Sequence, residues 1–333
     1  MNVFIKGISY YLPEKILTNE DLVKEFPEWS VEKVALKIGI RQRHIAAENE
    51  TAADMAVAAG TKLIDEYIID KNSIDFILLC TQSPDYFFPT SACLIQERLG
   101  LRTNIGALDF NQGCSGFIYG LSLAKGLICA GIAKNVLLLT SETYSKYIHV
   151  KDKGNRTIFG DAAAAALVSA DGFAKLMDFS LGTDGRGAKN LIVETGGLRC
   201  LSPRNTVTWD EGGNPLSPDH LFMNGTEILN FTLETVPVLI NDILSKNGLS
   251  QDDIDLFVLH QANRYIMEFL RKKLKIDPEK FYYYIENVGN TVSSTIPIAI
   301  KEGMKDGSIS SEKKVLLAGF GVGYSWGGTV LKF

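Results

Sequence analysis

The stretch Leu108-Asp109-Phe110-Asn111-Gln112-Gly113-Cys114-Ser115-Gly116-Phe117 decides how the rest of the chain is read. It reads as the end of a buried strand, a tight turn, and Cys114 in the first turn of a helix over 115–128 that stops near Gly131. A thiol in that place faces unpaired backbone N–H groups and the positive end of the helix dipole, which favours thiolate over thiol. Gly113 and Gly116 carry no Cβ, so backbone and ligand can approach the sulfur. Taken alone, the stretch fits equally well a small residue filling a strand–helix corner, because buried structural cysteines are common.

Working outward, the pattern occurs twice. Ile74-Asp75-Phe76-Ile77-Leu78-Leu79 recurs as Ile254-Asp255-Leu256-Phe257-Val258-Leu259, each followed shortly by a glutamine, Gln82 or Gln261. Asn135-Val136-Leu137-Leu138-Leu139 recurs as Lys314-Val315-Leu316-Leu317-Ala318, and the Cys114 turn recurs as the turn carrying Asn290. All three offsets are roughly 180 residues, which means duplicated domains rather than a solenoid, with halves 1–172 and 173–333. Strands alternating with helices make each half α/β. Helices are expected from Thr18 or Asn19 and over 30–39, 51–68, 91–99, 224–244, 263–274 and 294–305. Strands are expected over 3–9, 74–80, 135–140, 162–169, 254–259, 281–285, 314–318 and 329–333, with 40–45 a basic extended segment. Residues 182–218, where Gly, Pro, Asn and Asp recur around Trp209, read as a long irregular or hairpin insertion.

Composition narrows the classes of function. With 46% hydrophobic and 22% charged residues the chain is an ordinary globular protein and not a disordered one. A net charge of −5 gives no general attraction to nucleic acid or anionic lipid. No apolar run is expected to reach membrane-spanning length, and residues 1–7 enter a strand pattern directly, without a signal peptide. Five cysteines, Cys80, Cys93, Cys114, Cys129 and Cys200, lack framework spacing, so reduced thiols in the cytoplasm are expected. His44, His149 and His220 show no ligand spacing with them, and no metal is expected. The run Gly319-Phe320-Gly321-Val322-Gly323 leads into a strand, against a nucleotide loop.

The chemistry rests on three turns. Cys114 lies on the nucleophile turn, His260 ends the strand 256–259, and Asn290 lies on the second-half counterpart of the Cys114 turn. A histidine after a strand is usually structural, and asparagine after glycine is ordinary turn chemistry. A pseudo-twofold, however, brings the two turns face to face with His260 alongside. A thiolate takes an acyl group from a thioester. An imidazole N–H and an amide NH₂ together can hold a carbonyl oxygen that becomes negative, as when a malonyl thioester loses CO₂. The N–H of Cys114 and one from the 321–323 turn are the candidate oxyanion donors for acyl transfer.

Together these residues resemble the β-ketoacyl-acyl-carrier-protein synthase III family of the thiolase superfamily. The resemblance covers nearly the whole chain. It is carried by Gly39-Ile40-Arg41-Gln42-Arg43-His44-Ile45, Phe88-Pro89-Thr90-Ser91-Ala92-Cys93, Gly113-Cys114-Ser115-Gly116-Phe117, Phe159-Gly160-Asp161-Ala162, His260-Gln261-Ala262-Asn263, Gly289-Asn290-Thr291 and Ser325-Trp326-Gly327. It implies a homodimeric, thiolase-like, duplicated five-layered α-β-α-β-α fold. It also implies a decarboxylating condensation of an acyl-CoA primer with malonyl-acyl carrier protein through an acyl-cysteine, without a cofactor beyond the coenzyme A of the substrate. By resemblance, Cys114 is acylated, His260 and Asn290 form the decarboxylation pair, Val322 supplies an oxyanion N–H, and Phe320 lies near the leaving carboxylate. Phe88 matches a residue that reaches across a dimer to the acyl pocket. Trp29 matches an aromatic that stacks on the adenine of coenzyme A, and Asn263 is a further substrate-binding candidate.

Departures from the family pattern are local. The segment 29–39 is about four residues longer than the usual form. Lys153 replaces a frequent coenzyme-clamping arginine, and Tyr265 stands at a basic position with Arg264 displaced by one. These departures and the 182–218 insertion fit a specialised paralogue with an unusual acyl donor. Arg264, Arg271, Lys272, Lys273 and Lys275 make a basic helix on an acidic protein, a docking face for acidic acyl carrier protein; a solvated charged face is the plain alternative. Cys, His and Asn in this order also describe a thiol hydrolase, although the duplication has no place there. A non-catalytic scaffold of the same fold would not need all three residues. Condensation without decarboxylation needs a glutamate beside Cys114, and none is identified from the sequence.

Overall fold

The computed structural model describes residues 1–333, the side chain of Lys33 excepted. The chain opens with β1 (Phe4–Tyr11) and the short β2 (Lys15–Thr18). Then α1 (Asn19–Glu25) begins in a capping box between Thr18 and Asp21, and α2 (Val31–Ile38) ends at Gly39, whose φ is +70°. β3 (Gln42–Ile45) pairs with β2, and Arg43 within it is wholly buried on carbonyl and amide oxygens. α3 (Ala52–Glu66) starts at a second capping box, Thr51 with Asp54. β4 (Phe76–Cys80), α4 (Ser91–Arg98), β5 (Gly106–Phe110), α5 (Gly116–Cys129), β6 (Asn135–Glu142), α6 (Lys153–Ile158) and β7 (Ala162–Ser169) complete the first series.

β8 (Ala174–Leu176) and β9 (Ser180–Thr183) lead into the insertion. There β10 (Leu191–Ile192) pairs with β13 (Phe222–Met223), and β11 (Thr208–Trp209) with β12 (Pro215–Leu216) in a small hairpin. The rings of Trp209 and His220 lie 6.3 and 4.8 Å from that of His149, fixing the hairpin to the first half. α7 (Gly225–Lys246), β14 (Leu256–Leu259), α8 (Arg264–Lys273), α9 (Thr295–Lys305), β15 (Lys314–Gly321) and β16 (Ser325–Lys332) follow.

The duplication is visible in hydrogen bonds. β4 runs parallel to β6 with Phe76 opposite Val136, and β14 runs parallel to β15 with Leu256 opposite Val315. Asp75 accepts from the N–H groups of Lys134 and Asn135, and Asp255 accepts from that of Lys314. Pleating sorts the strand residues into layers. Leu78, Val136, Leu138, Val258, Val315 and Leu317 turn inward onto α5 and α9. Ile77, Leu79, Leu137 and Leu139 turn outward onto α3 and α4, and Phe257, Leu259, Leu316 and Ala318 onto α7 and α8. Five layers result, with α5 and α9 between the sheets. The strands form one continuous ladder, β14-β15-β16-β8-β1-β7-β6-β4-β5, because β8 joins the halves; β9 pairs with β16.

Two expectations are corrected. Residues 281–285 form no strand; a single bridge from Phe281 to Phe257 marks the place, and Tyr284 N–H donates instead to the Gln261 side chain. The chain does hold one helix long and apolar enough to cross a membrane, α7, at 22 residues. Phe231, Val236, Leu239, Ile240 and Ile243 of that helix are buried beside β15 and β16, which is why so much of it is apolar.

Candidate active site

The residue that the sequence singled out sits two positions before α5, on a turn closed by Gly116 N–H to Gly113 O at 2.8 Å. Ser115, at the cap position, makes no capping bond; its hydroxyl lies 2.6 Å from that of Ser325 and so ties the nucleophile turn to β16. β15 presses on the turn from the second half. A Cβ on Gly321 would come within 2.9 Å of Cys114 Cβ and 3.0 Å of Sγ, and one on Gly319 within 2.8 Å of Cys114 O. Gly113 is similarly hemmed in by Val322 and Gln82.

The expectation of a thiolate is corrected. Burial, and next to it the negative charge of Glu142, push the Cys114 thiol up to about 12, although its own N–H acts the other way. The helix dipole falls off within one turn and does not outweigh desolvation here. That charge comes from Glu142, wholly buried at the end of β6, which the sequence did not single out.

His260 follows β14 and is 2% exposed. Burial alone takes its pKa down to about 3, so the ring is neutral at neutral pH. Its Nδ1 lies 2.8 Å from Thr295 Oγ1, which in turn lies 3.0 Å from Val292 O. That hydroxyl has one proton and two claimants. Donated to Val292 O, it leaves Thr295 to accept Nδ1–H, and Nε2 is a bare acceptor. Turned onto Nδ1, it leaves Nε2–H as a donor. Asn290 Oδ1 accepts from Val292 N–H at 2.9 Å, which frees its NH₂ for a ligand. The Asn290 backbone is fixed by bonds to Ile158 O and from Gly160 N–H. The Phe320 ring meets that of His260 edge to face, centroids 5.7 Å apart.

Cys114, His260, Asn290, Phe320, Val322 and Asn263 line one cavity of about 210 Å³, walled by Leu191, Met223 and Ile228. Asn263 also caps α8, through Oδ1 to Ile266 N–H. With Tyr265 and Ile158 it lines a second cavity, of about 490 Å³, shared with Trp29 and Glu28. The two cavities thus have Ile158, Asn263 and Tyr265 in common. Lys153 does not project freely toward them: the ammonium is paired with Glu28, near the Phe26 ring. Phe88 is 86% exposed and flanked by exposed Tyr86 and Phe87, so within one chain it does not belong to the site. On α8, Arg264 lies over the Tyr283 ring and Arg271 is held by Glu268 and Ile276 O, whereas Lys272 and Lys273 are exposed.

Residues missed in the sequence are Thr295, Glu142 and Tyr144. Thr295 opens α9 five positions after Asn290, across a 3-10 turn, and no sequence spacing marks it. Tyr144 packs in the apolar cluster with Cys114, Phe159, Leu191 and Leu221, and its hydroxyl donates to Gln82 Oε1; nothing local in the sequence indicates this.

Comparison with known proteins places the geometry in context. The model described as 3-oxoacyl-[acyl-carrier-protein (ACP)] synthase III matches residues 108–185, and that of the C-terminal part of the same enzyme matches residues 244–333. The β-ketoacyl-[acyl-carrier-protein] synthase III of Caldanaerobacter subterraneus is 36% identical over 331 residues, 99% of this chain and 97% of the relative. That of Oceanobacillus iheyensis is 36% identical over 334 residues, 100% and 99%. A solved 3-oxoacyl-(acyl-carrier-protein) synthase III superposes with a TM-score of 0.97 at 47% identity, over 100% of both chains.

Proposed function

This chain belongs to the 3-oxoacyl-acyl-carrier-protein synthase III family, and on that premise we propose that Cys114 is its acylated nucleophile and His260 with Asn290 its decarboxylation pair. The enzyme is an acyltransferase that condenses an acyl-thioester primer with malonyl-acyl carrier protein, losing CO₂ and giving a 3-oxoacyl-acyl carrier protein. The hydrolase and scaffold alternatives fall with this assignment. The observation that carries the site is the convergence of Cys114 with a neutral His260 and an outward-facing Asn290 amide on one narrow cavity.

In the first half-reaction Cys114 Sγ adds to the thioester carbonyl of an acyl-CoA. The thiol proton passes to His260 Nε2 and then to the departing coenzyme thiolate. In the second, the ring is in its other tautomer, Nδ1 having lost its proton to solvent and Nε2 having gained one while the Thr295 hydroxyl turns onto Nδ1. His260 Nε2–H and Asn290 Nδ2 then hold the malonyl thioester oxygen while the bond to CO₂ breaks. The freed electron pair forms the enolate, whose carbon attacks the acyl carbonyl. The N–H groups of Cys114 and Val322 hold that oxyanion. Collapse expels the Cys114 thiolate, which regains a proton from solvent. Neutral donors suit the enolate without retaining the leaving carboxylate, and Phe320 keeps that carboxylate poorly solvated.

We also assign the primer's coenzyme to the cavity lined by Trp29, Asn263 and Tyr265, which requires Lys153 to exchange Glu28 for a phosphate. The duplication boundary is taken at 172/173. A homodimer fits the exposed Phe88 and the open edge of β5. Acyl carrier protein docks on α8 through Lys272 and Lys273, with Arg264 and Arg271 supporting the field.

Intact-mass measurement after incubation with acetyl-, butyryl-, isobutyryl- and octanoyl-CoA tests this reading. Wild type gains one acyl group and Cys114→Ala none; an adduct of unchanged stoichiometry in Cys114→Ala overturns the nucleophile. His260→Ala and Asn290→Ala still acylate but release no CO₂ from malonyl thioester.

A further inference from the structure

Glu142 has no part in the steps above, yet its setting is unusual. It is wholly buried and, among the described residues, no cation pairs with it. Its carboxylate accepts only from neutral donors. Gln82 N–H reaches both oxygens at 3.1 Å, Ser83 Oγ one at 3.1 Å, and Ser293 Oγ the other at 3.3 Å. The titratable groups that face it are Cys80, Cys114, Tyr144, Tyr147 and Asp161, none of them cationic. An unpaired buried carboxylate is costly and needs a reason.

The two ends of this hydrogen-bond set lead to opposite halves of the site. On one side Gln82 packs under the nucleophile turn. Its Nε2 donates to Asn111 Oδ1 at 3.0 Å, and a Cβ on Gly113 would lie 2.8 Å from its Oε1. The phenols of Tyr144 and Tyr147 both donate to Gln82, one to the side chain and one to its carbonyl. On the other side Ser293 belongs to the single 3-10 turn Val292–Ser294. The N–H of Val292 fixes the Asn290 amide, and its carbonyl competes for the hydroxyl that sets the His260 tautomer. Next to it Thr140 and Ser294 make a second bridge between the halves, 2.8 Å between hydroxyls.

We propose that Glu142 is a positioning residue of the condensation: its carboxylate clamps the Gln82 loop beneath Cys114 to the turn that presents Asn290, and so fixes the span between nucleophile and decarboxylation pair. A carboxyl group sets two oxygens astride the Gln82 N–H, and the three donors share them, Ser83 on one and Ser293 on the other. A hydrophobic residue would leave them bare, and an amide would set its own N–H against that of Gln82. The two half-sites come from different halves of the chain, and a shift of about 1 Å between them is enough to cost a hundredfold in rate.

The proposal rests on the assignment of Cys114, His260 and Asn290. Its test compares wild type with Glu142→Gln, Glu142→Asp and Ser293→Ala. Acylatable Cys114 is counted by intact mass, and kcat is expressed per acylatable site. The clamp predicts that Glu142→Gln acylates fully but condenses about ten- to a hundredfold more slowly per site, with KM for the primer within about twofold. Glu142→Asp, which keeps a carboxyl group with both oxygens, recovers part of the loss. Ser293→Ala, which removes only the arm to the Asn290 turn, also condenses more slowly while acylating normally, and it serves if Glu142→Gln does not fold. Fewer acylatable sites with unchanged kcat per site in these variants would make Glu142 a purely structural residue and overturn the clamp. A wild type that takes up no acyl group would instead remove the underlying assignment, and the clamp with it.

Discussion

At the scale of single residues, desolvation outweighs the features that a sequence displays. Cys114 rests as a thiol and His260 as a neutral imidazole because both are buried. Alkylation of Cys114 by iodoacetamide in the unliganded enzyme should therefore keep accelerating through pH 9; a plateau below pH 8 would contradict a raised thiol. Thr295→Val keeps the shape but removes the hydroxyl between Nδ1 and Val292 O. It should lower kcat about tenfold or more while leaving acylation stoichiometry intact. Buried charge also makes stability depend on pH, with opposite signs at two residues. Burial raises Glu142 from an unfolded value near 4.5 to about 8, so its contribution is fully present below 4.5 and is lost as pH rises through 8. His260 is depressed from 6.5 to about 3, so its contribution is present above 6.5 and is lost as pH falls toward 3. Urea melts of Glu142→Gln between pH 5 and 8 should be flatter with pH than those of wild type.

At the scale of elements, the strands and helices were largely legible because their signals are local. Capping boxes at Thr18 and Thr51, the Asn224 and Asn263 caps, and the left-handed Gly39, Gly100 and Gly131 mark boundaries that the sequence already places within a residue or two. Residues 281–285 misled because β-propensity reports a half-buried surface, and here the aromatic side chains pack while the backbone bonds a side chain. On α8 the basic run holds two kinds of cation. Arg264, though exposed, lies over the Tyr283 ring and Arg271 is held by Glu268, whereas Lys272 and Lys273 are exposed and make no such contact among the described residues. Reversing those two lysines to Glu should raise KM for carrier-bound malonyl substrate about tenfold and leave a free malonyl thioester unaffected; equal effects on both would count against docking. In β15, Gly321→Ala should block acylation without unfolding the protein, since its Cβ would meet the Cβ and Sγ of Cys114, the proposed nucleophile. Intact-mass acylation beside a thermal melt distinguishes the two.

At the scale of the whole molecule, the continuous ten-stranded ladder ends at β5, which among the described residues has no partner strand on its outer side, and Tyr86, Phe87 and Phe88 are exposed. Sedimentation should give a dimer, and Phe88→Asp should weaken it and lower kcat with longer primers most. The sequence by itself determined the duplicated α/β architecture and the order of nearly all elements, and it pointed to the three residues proposed for the site. Hydrophobic period, caps and a repeat are properties of neighbours along a chain. It could not determine how charged those residues are, nor what holds them apart. Cys114 and Asn290 are 176 positions apart in the chain. The thiol's protonation, the His260 tautomer set by Thr295, and the bridge through Glu142 all depend on burial and on hydrogen bonds between the two halves. Those exist only once the sheets have closed on α5 and α9, because desolvation and donor geometry belong to the packed interior and not to any stretch of sequence.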